Sequence, residues 1–287
     1  MLAGLGAVFG PWSAAHTQSA PGKMAQGWEF VGLPALNFST DEGFGYGVLA
    51  EIYNYGNGLR PYKYTIQPTI FLTTKGRRDV VVFLDAPHVL PGGWRFDASV
   101  AREQQLATPY YGIGNTTVYD STLERAPNPY YYRYEKVQLR LFANAQRRIG
   151  SAPARMLFGF GISDVTTDAT PFDSGSTLLA TQLGATQAPK GNVGSLRAGL
   201  IWDTRDREIG PHSGTWAELL AQRVDRAFGA TDEFTRVTAT VRHYLPIREN
   251  LVGAVRLFAQ QSNGDVPLYD LSTLQSSYKN QEGLGGS

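Results

Sequence analysis

Few side chains in this chain have the type and spacing that catalysis needs. The four histidines are His16, His88, His212 and His243. No Gly-x-Ser-x-Gly elbow accompanies them, and no Ser stands at a recognisable distance from a His and a carboxylate, so nucleophilic hydrolysis has no signature here. Asp203, Asp206 and Glu208 with His212 have the spacing of a metal cluster. Arg205 and Arg207 are interleaved with them, however, and guanidinium groups would neutralise those carboxylates by pairing, so a turn-stabilising network is the expected outcome. Gly43, Gly45 and Gly47 are not followed by a helical pattern, so they form no phosphate loop; glycines alternating along a strand mark close packing or a kink. No metal, cofactor or catalytic residue is assigned, and a non-enzyme is expected.

The elements that position these residues are strands. Side chains alternate across a strand with a period of two, and Lys136 to Gln146 follows this closely. Val137, Leu139, Leu141, Ala143 and Ala145 face one way, and Lys136, Gln138, Arg140, Phe142, Asn144 and Gln146 the other. Tyr62 to Thr73 repeats the division, with Tyr62, Tyr64, Ile66, Pro68, Ile70 and Leu72 on the apolar side. Arg140, Arg197, Arg236, Arg242 and Arg256 all fall on the polar register of their segments, as residues lining an aqueous lumen would. Weaker alternation elsewhere brings the candidate strands to eleven, spread from Trp28 to Gln260.

Composition leaves this reading open and closes others. Of 287 residues, 42% are hydrophobic and 12% aromatic, yet no run approaches the eighteen or so apolar residues of a membrane helix. A formal charge of +1 offers no footprint for nucleic acid and no polybasic patch. Cysteine is absent, which removes thiolate chemistry and suits an oxidising compartment. Residues 1–26 read as a leader or possible signal segment, apolar from Leu2 to Phe9 and then rich in small residues, but without a basic n-region.

The connections separate a soluble sandwich from a membrane barrel. Links from even to odd strands are short: Asn54 to Pro61, Pro87 to Gly93, Arg147 to Pro153, Thr204 to Gly214 and Pro246 to Asn250. Three odd-to-even links are long: Glu103 to Tyr130, Ser163 to Val193, and Gln261 onward. Short turns at one end and long loops at the other are the habit of outer-membrane barrels, with the short ones in the periplasm. Trp28, Tyr62, Trp94, Tyr130, Tyr131, Tyr132, Trp202 and Trp216 are expected in aromatic girdles. Pro68, in mid-strand, predicts a bulge or a displaced register, and Pro34 predicts an edge or weakly paired strand.

The stretch GLIWDTRDREIGPHSGTWAELLAQ, Gly199 to Gln222, resembles the bacterial surface antigen (D15-like) family of BamA/TamA-type outer-membrane proteins. The matching residues are Asp203, Arg205, Asp206, Pro211 and Gly214, an Asp-x-Arg-Asp element followed by a Pro-x-x-Gly turn. Asn37 to Gly47 is similar to the opening hairpin of these barrels, and Tyr110 to Asn115 to a segment of single-barrel members.

The resemblance implies an all-β fold, a transmembrane antiparallel β-barrel of roughly sixteen strands in which residues 27–287 supply the first eleven and stop in the following loop. It implies residence in the Gram-negative outer membrane, with the surrounding lipid, client outer-membrane proteins or periplasmic factors as partners. It also implies a role in inserting or translocating protein or lipid through a seam at the first strand. A passive pore or a structural surface antigen is the alternative. The family carries an Arg-Gly-aromatic motif on the loop after the eleventh strand. Gly283, Gly285, Gly286 and Ser287 resemble its lead-in, and no residue here takes the role of its Arg. Periplasmic POTRA domains, usual in the family, do not fit in the leader, so a single-barrel member is expected.

Overall fold

The computed structural model describes residues 26–113, 118–125, 128–173, 176–184, 188–208 and 210–271. The leader up to residue 25, the Gly114–Asn115 end of the YYGIGN stretch and the Gly283 to Ser287 lead-in lie outside them. Eleven strands run in chain order: β1 (Gly27–Ser39), β2 (Gly43–Gly56), β3 (Tyr64–Thr73), β4 (Arg78–Ala86), β5 (Trp94–Pro109), β6 (Arg133–Arg148), β7 (Ala154–Asp168), β8 (Lys190–Asp203), β9 (Gly214–Val224), β10 (Phe234–Arg248) and β11 (Leu251–Gly264). Two short helices, α1 (Leu178–Leu183) and α2 (Leu268–Leu271), lie in the long connections.

All eleven strands form one sheet in which each pairs antiparallel with its sequence neighbours. Register is continuous across most of it, as in β6 against β7, where Glu135 to Arg148 oppose Asp168 to Arg155 without a shift. Among the described residues, β1 and β11 each have one partner. At one end every connection is a short turn, and at the other end lie both the short β1–β2 and β3–β4 turns and the long loops after β5 and β7.

Burial is inverted relative to a water-soluble protein. Leu141 is 43% exposed and Phe158 58%, whereas Arg197 is 3% and Arg236 1% exposed. The other face of the sheet buries Thr65, Asp97, Gln138, Asn144, Glu218 and Gln222. In water such an arrangement would leave a broad apolar surface unsatisfied and polar groups desolvated without gain. In a bilayer it is the expected one, with apolar side chains toward lipid and polar ones toward the lumen. Among the described residues no helix is long and apolar enough to cross a membrane, so crossing falls to the strands. β5 and β6 hold 16 residues each, more than the roughly 9–11 that span a bilayer. They therefore continue beyond it on the long-loop side.

Several expectations need correction. Pro68 produces neither a bulge nor a displaced register. It pairs with Val82 of β4, while the ladder to β2 lapses between the Leu49–Thr69 and Ile52–Ile66 pairs and resumes in step. A missing N–H thus removes hydrogen bonding on one side only. Pro34 does sit on a strand with a single neighbour, opposite Val48. Tyr62 and Trp216 leave the aromatic girdle: both are buried. Tyr62 precedes the first residue of β3 and so escapes its alternation; Trp216 stays inside, with the Arg242 guanidinium 4.8 Å from its ring centre. Tyr132 is also buried, packed against Tyr111, Tyr119 and Tyr131 in the β5–β6 loop. Trp28 and Trp202 remain outward and exposed. Gly45 confirms the close-packing reading of the glycine run, because a Cβ there would come 2.4 Å from the Phe71 ring.

Candidate functional site

The inward face is a chain of polar contacts arranged around one aromatic pair. Phe83 of β4 and Phe142 of β6 meet at 6.5 Å between ring centres. The guanidinium groups of Arg140 and Arg197 lie 6.0 and 5.4 Å from the Phe142 ring centre. Arg140 donates to Glu103 at 2.9 Å and Arg197 to Asn144 at 2.7 Å. Asn144 and Gln146 in turn donate to Asp97, at 2.5 and 3.2 Å. Arg140 and Arg197 are thus held against β5 and β6 rather than free in a channel. Arg256 lies 5.7 Å from the Phe258 ring centre.

Beyond β11 the chain turns back over this face. Asp270 of α2 forms an ion pair with Arg236 of β10 at 3.0 Å, and the Asp270 carbonyl accepts a second bond from the same guanidinium at 2.9 Å. Arg236 also donates to Ser262 of β11 at 3.0 Å. The preceding carbonyl, of Tyr269, accepts from Lys136 of β6 at 2.8 Å. Two adjacent residues therefore tie strands four positions apart, about 19 Å along a flat sheet, which requires the wall to curve around them. Tyr269 and Asp270 are both buried.

At the short-turn end, the β8–β9 connection holds the motif residues. Arg205 grips Asp203 with two bonds of 2.8 Å. Asp206 accepts from the backbone N–H groups of His212 and Ser213 at 2.9 and 3.2 Å, which folds the Pro211 segment back onto the hairpin. Gly214 has φ +100, and a Cβ there would meet the Thr204 carbonyl at 2.3 Å. Gly214→Ala is therefore expected to cost about 1–3 kcal/mol. A lowered temperature for loss of heat-modifiable mobility would show it; an unchanged midpoint would mean that this turn relaxes freely.

Glu208 leaves the turn and binds Arg95 of β5 through both oxygens, at 2.9 and 3.1 Å. Arg95 also grips Asp85 of β4 at 2.6 and 2.8 Å, and Tyr62 donates to Asp85 at 2.6 Å. Burial and the Asp85 carboxylate push the Tyr62 phenol well above its usual pKa, so it remains a donor. The carboxylates once grouped as a metal cluster therefore diverge: Asp203 to Arg205, Asp206 to backbone, Glu208 to Arg95. Among the described residues no three His, Asp or Glu side chains converge on a metal position. His88 meets the Arg60 carbonyl, His212 meets Arg207 and His243 meets Thr215. His16 lies outside the described residues. The Glu208–Arg95 and Arg236–Asp270 contacts were invisible to sequence reasoning, since neither pair has a characteristic spacing.

The sequence of this meander of membrane-length strands matches the family model of the Omp85 superfamily domain over residues 67–277. The chain belongs to the Omp85 superfamily. Among solved structures this Omp85 barrel is similar to BamA from Haemophilus ducreyi lacking POTRA domains 1–3, with a TM-score of 0.51 and 12% identity over 88% of the chain. At that identity the likeness concerns the fold. The chain spans 45% of the length of that BamA structure. No curated protein matches it in sequence. The Omp85 chain is thus a transmembrane β-barrel protein of the Gram-negative outer membrane.

Proposed function

We propose that this Omp85 barrel is a non-enzymatic assembly or translocation device, which inserts or passes protein or lipid through the outer membrane rather than serving as an open pore. The observation that carries the reading is the occupied interior. Polar side chains bond one another across the wall, and the segment after β11 is anchored inside by Arg236 and Lys136. A porin keeps a water-filled channel, whereas a barrel plugged by a loop does not. Membership of the Omp85 superfamily supports a seam at β1, where an incoming strand could pair with that strand's backbone groups. Outer-membrane lipid, client outer-membrane proteins and periplasmic factors are the partners this role needs.

Planar-bilayer recording of the purified protein tests the reading. A mostly closed channel with brief, irregular openings is the expected result. A wide and steady conductance would favour the passive pore.

A further inference from the structure

Four arginines from separate parts of the chain surround one cavity at the short-turn end of the barrel. Arg95 of β5, Arg148 of β6, Arg155 of β7 and Arg60 of the β2–β3 turn line a space of about 320 Å³, together with His88 and Glu208. Arg95, Arg155 and Arg148 share the inward parity of Asp97, Leu157 and Gln146 on their strands, so the cavity belongs to the lumen mouth and not to the lipid face.

The carboxylates present do not satisfy these guanidinium groups. Arg95 takes up both Asp85 and Glu208. Arg155 is left 3.9 Å from a Glu208 oxygen, outside hydrogen-bond reach. Among the described residues no carboxylate forms an ion pair with Arg60 or Arg148. Four guanidinium groups thus line the cavity with one carboxylate, Glu208. Asp85 and Asp203 act on Arg95 and Arg155 from outside the lining and are themselves bound by Arg95 and Arg205. A cavity walled by protein concentrates the surplus more than open water would. A carboxylate presents its two oxygens in a single plane. Donors arriving from two strands and a turn call for an acceptor with oxygens in several directions.

We propose that this cavity binds a phosphate group, held by Arg60, Arg148 and Arg155 while Arg95 and Glu208 fix its floor. The proposal does not depend on the assembly role suggested above. Both free phosphate and a phospholipid headgroup carry the required chemistry.

The test uses the protein purified from outer membranes in neutral detergent, with the midpoint of heat-modifiable mobility followed against inorganic phosphate, acetate and chloride at equal ionic strength. Phosphate alone is expected to raise the midpoint saturably. Arg148→Gln and, separately, Arg60→Gln should each weaken its apparent affinity about tenfold, the effect of one lost charge-assisted bond. Arg60 lies in an exposed turn, so its variant remains readable even where Arg148→Gln disturbs the strand. Arg223→Gln, at the opposite end, should respond as the unmodified protein does. Repeating the titration in a phosphate-free maltoside detergent with and without added phosphatidylglycerol separates the sources: competition by the lipid assigns the site to a headgroup, and no competition assigns it to free phosphate. Equal responses to all three anions, or full phosphate responses in both the Arg60 and Arg148 variants, would overturn the proposal.

Discussion

Leu141→Arg is expected to abolish barrel assembly, whereas Gln138→Glu, three residues away on the same strand, leaves it nearly intact. Leu141 projects from the apolar face near the middle of β6, where its neighbours across the ladder are Val100 and Ile162. A guanidinium in that position must lose hydration or drag water into the hydrocarbon, at a cost of about 2–4 kcal/mol near the midplane. Gln138 lies on the buried polar face, two residues from Arg140. A carboxylate of nearly the same size there adds charge beside an existing cation, so its local cost is small. Comparing the fraction of each variant that shows heat-modifiable mobility decides the matter. Equal assembly of the two would mean that the faces have been assigned the wrong way round.

The second large effect belongs to Arg236→Ala. Its guanidinium is almost wholly enclosed and is the ion-pair partner of Asp270. Removing one member of a buried pair leaves the other uncompensated, which typically costs about 3–5 kcal/mol. Here that penalty has a direct escape, because Asp270 can leave the interior with the rest of α2. The expected results are new protease cleavage near residue 270 and more frequent channel openings. Arg236→Ala/Asp270→Ala should recover part of the lost thermal stability, since the double change removes the stranded carboxylate. If the single variant shows native protease resistance and native gating, Arg236 does not hold the segment in place.

Much of the wall was legible in the sequence, because strands between lipid and water carry both solvents in their alternation. Leu139 and Leu141 against Gln138 and Arg140 needed no partner to be placed. The strand ends were less visible. Outside the bilayer there is no lipid face to enforce the pattern, so Gln105 to Pro109 of β5 and Ser163 to Asp168 of β7 read as loop although they continue the ladder. Aromatics near strand ends were ambiguous for a related reason: Tyr62 and Trp216 resemble girdle residues, and only the Asp85 carboxylate and the Arg242 guanidinium draw them inward. Within the candidate site, the Asp203–Arg205 turn was readable because its partners are two residues apart. Glu208 and Arg95 are 113 apart, and nothing local marks their meeting.

Strictly sequential pairing has a consequence for how the wall can grow and change. Every strand adds to the edge made by its predecessor, so no step needs a distant segment to be found before it gains hydrogen bonds. Closing a connection becomes only about 0.6 kcal/mol harder with each doubling of its length. The loop between β5 and β6, against the tight turn between β10 and β11, therefore adds only about 2 kcal/mol to hairpin formation. Loops at the long-loop end can lengthen, shorten or accept inserted sequence while the strands beneath them keep their partners, so the surface at that end can diversify independently of the wall that carries it.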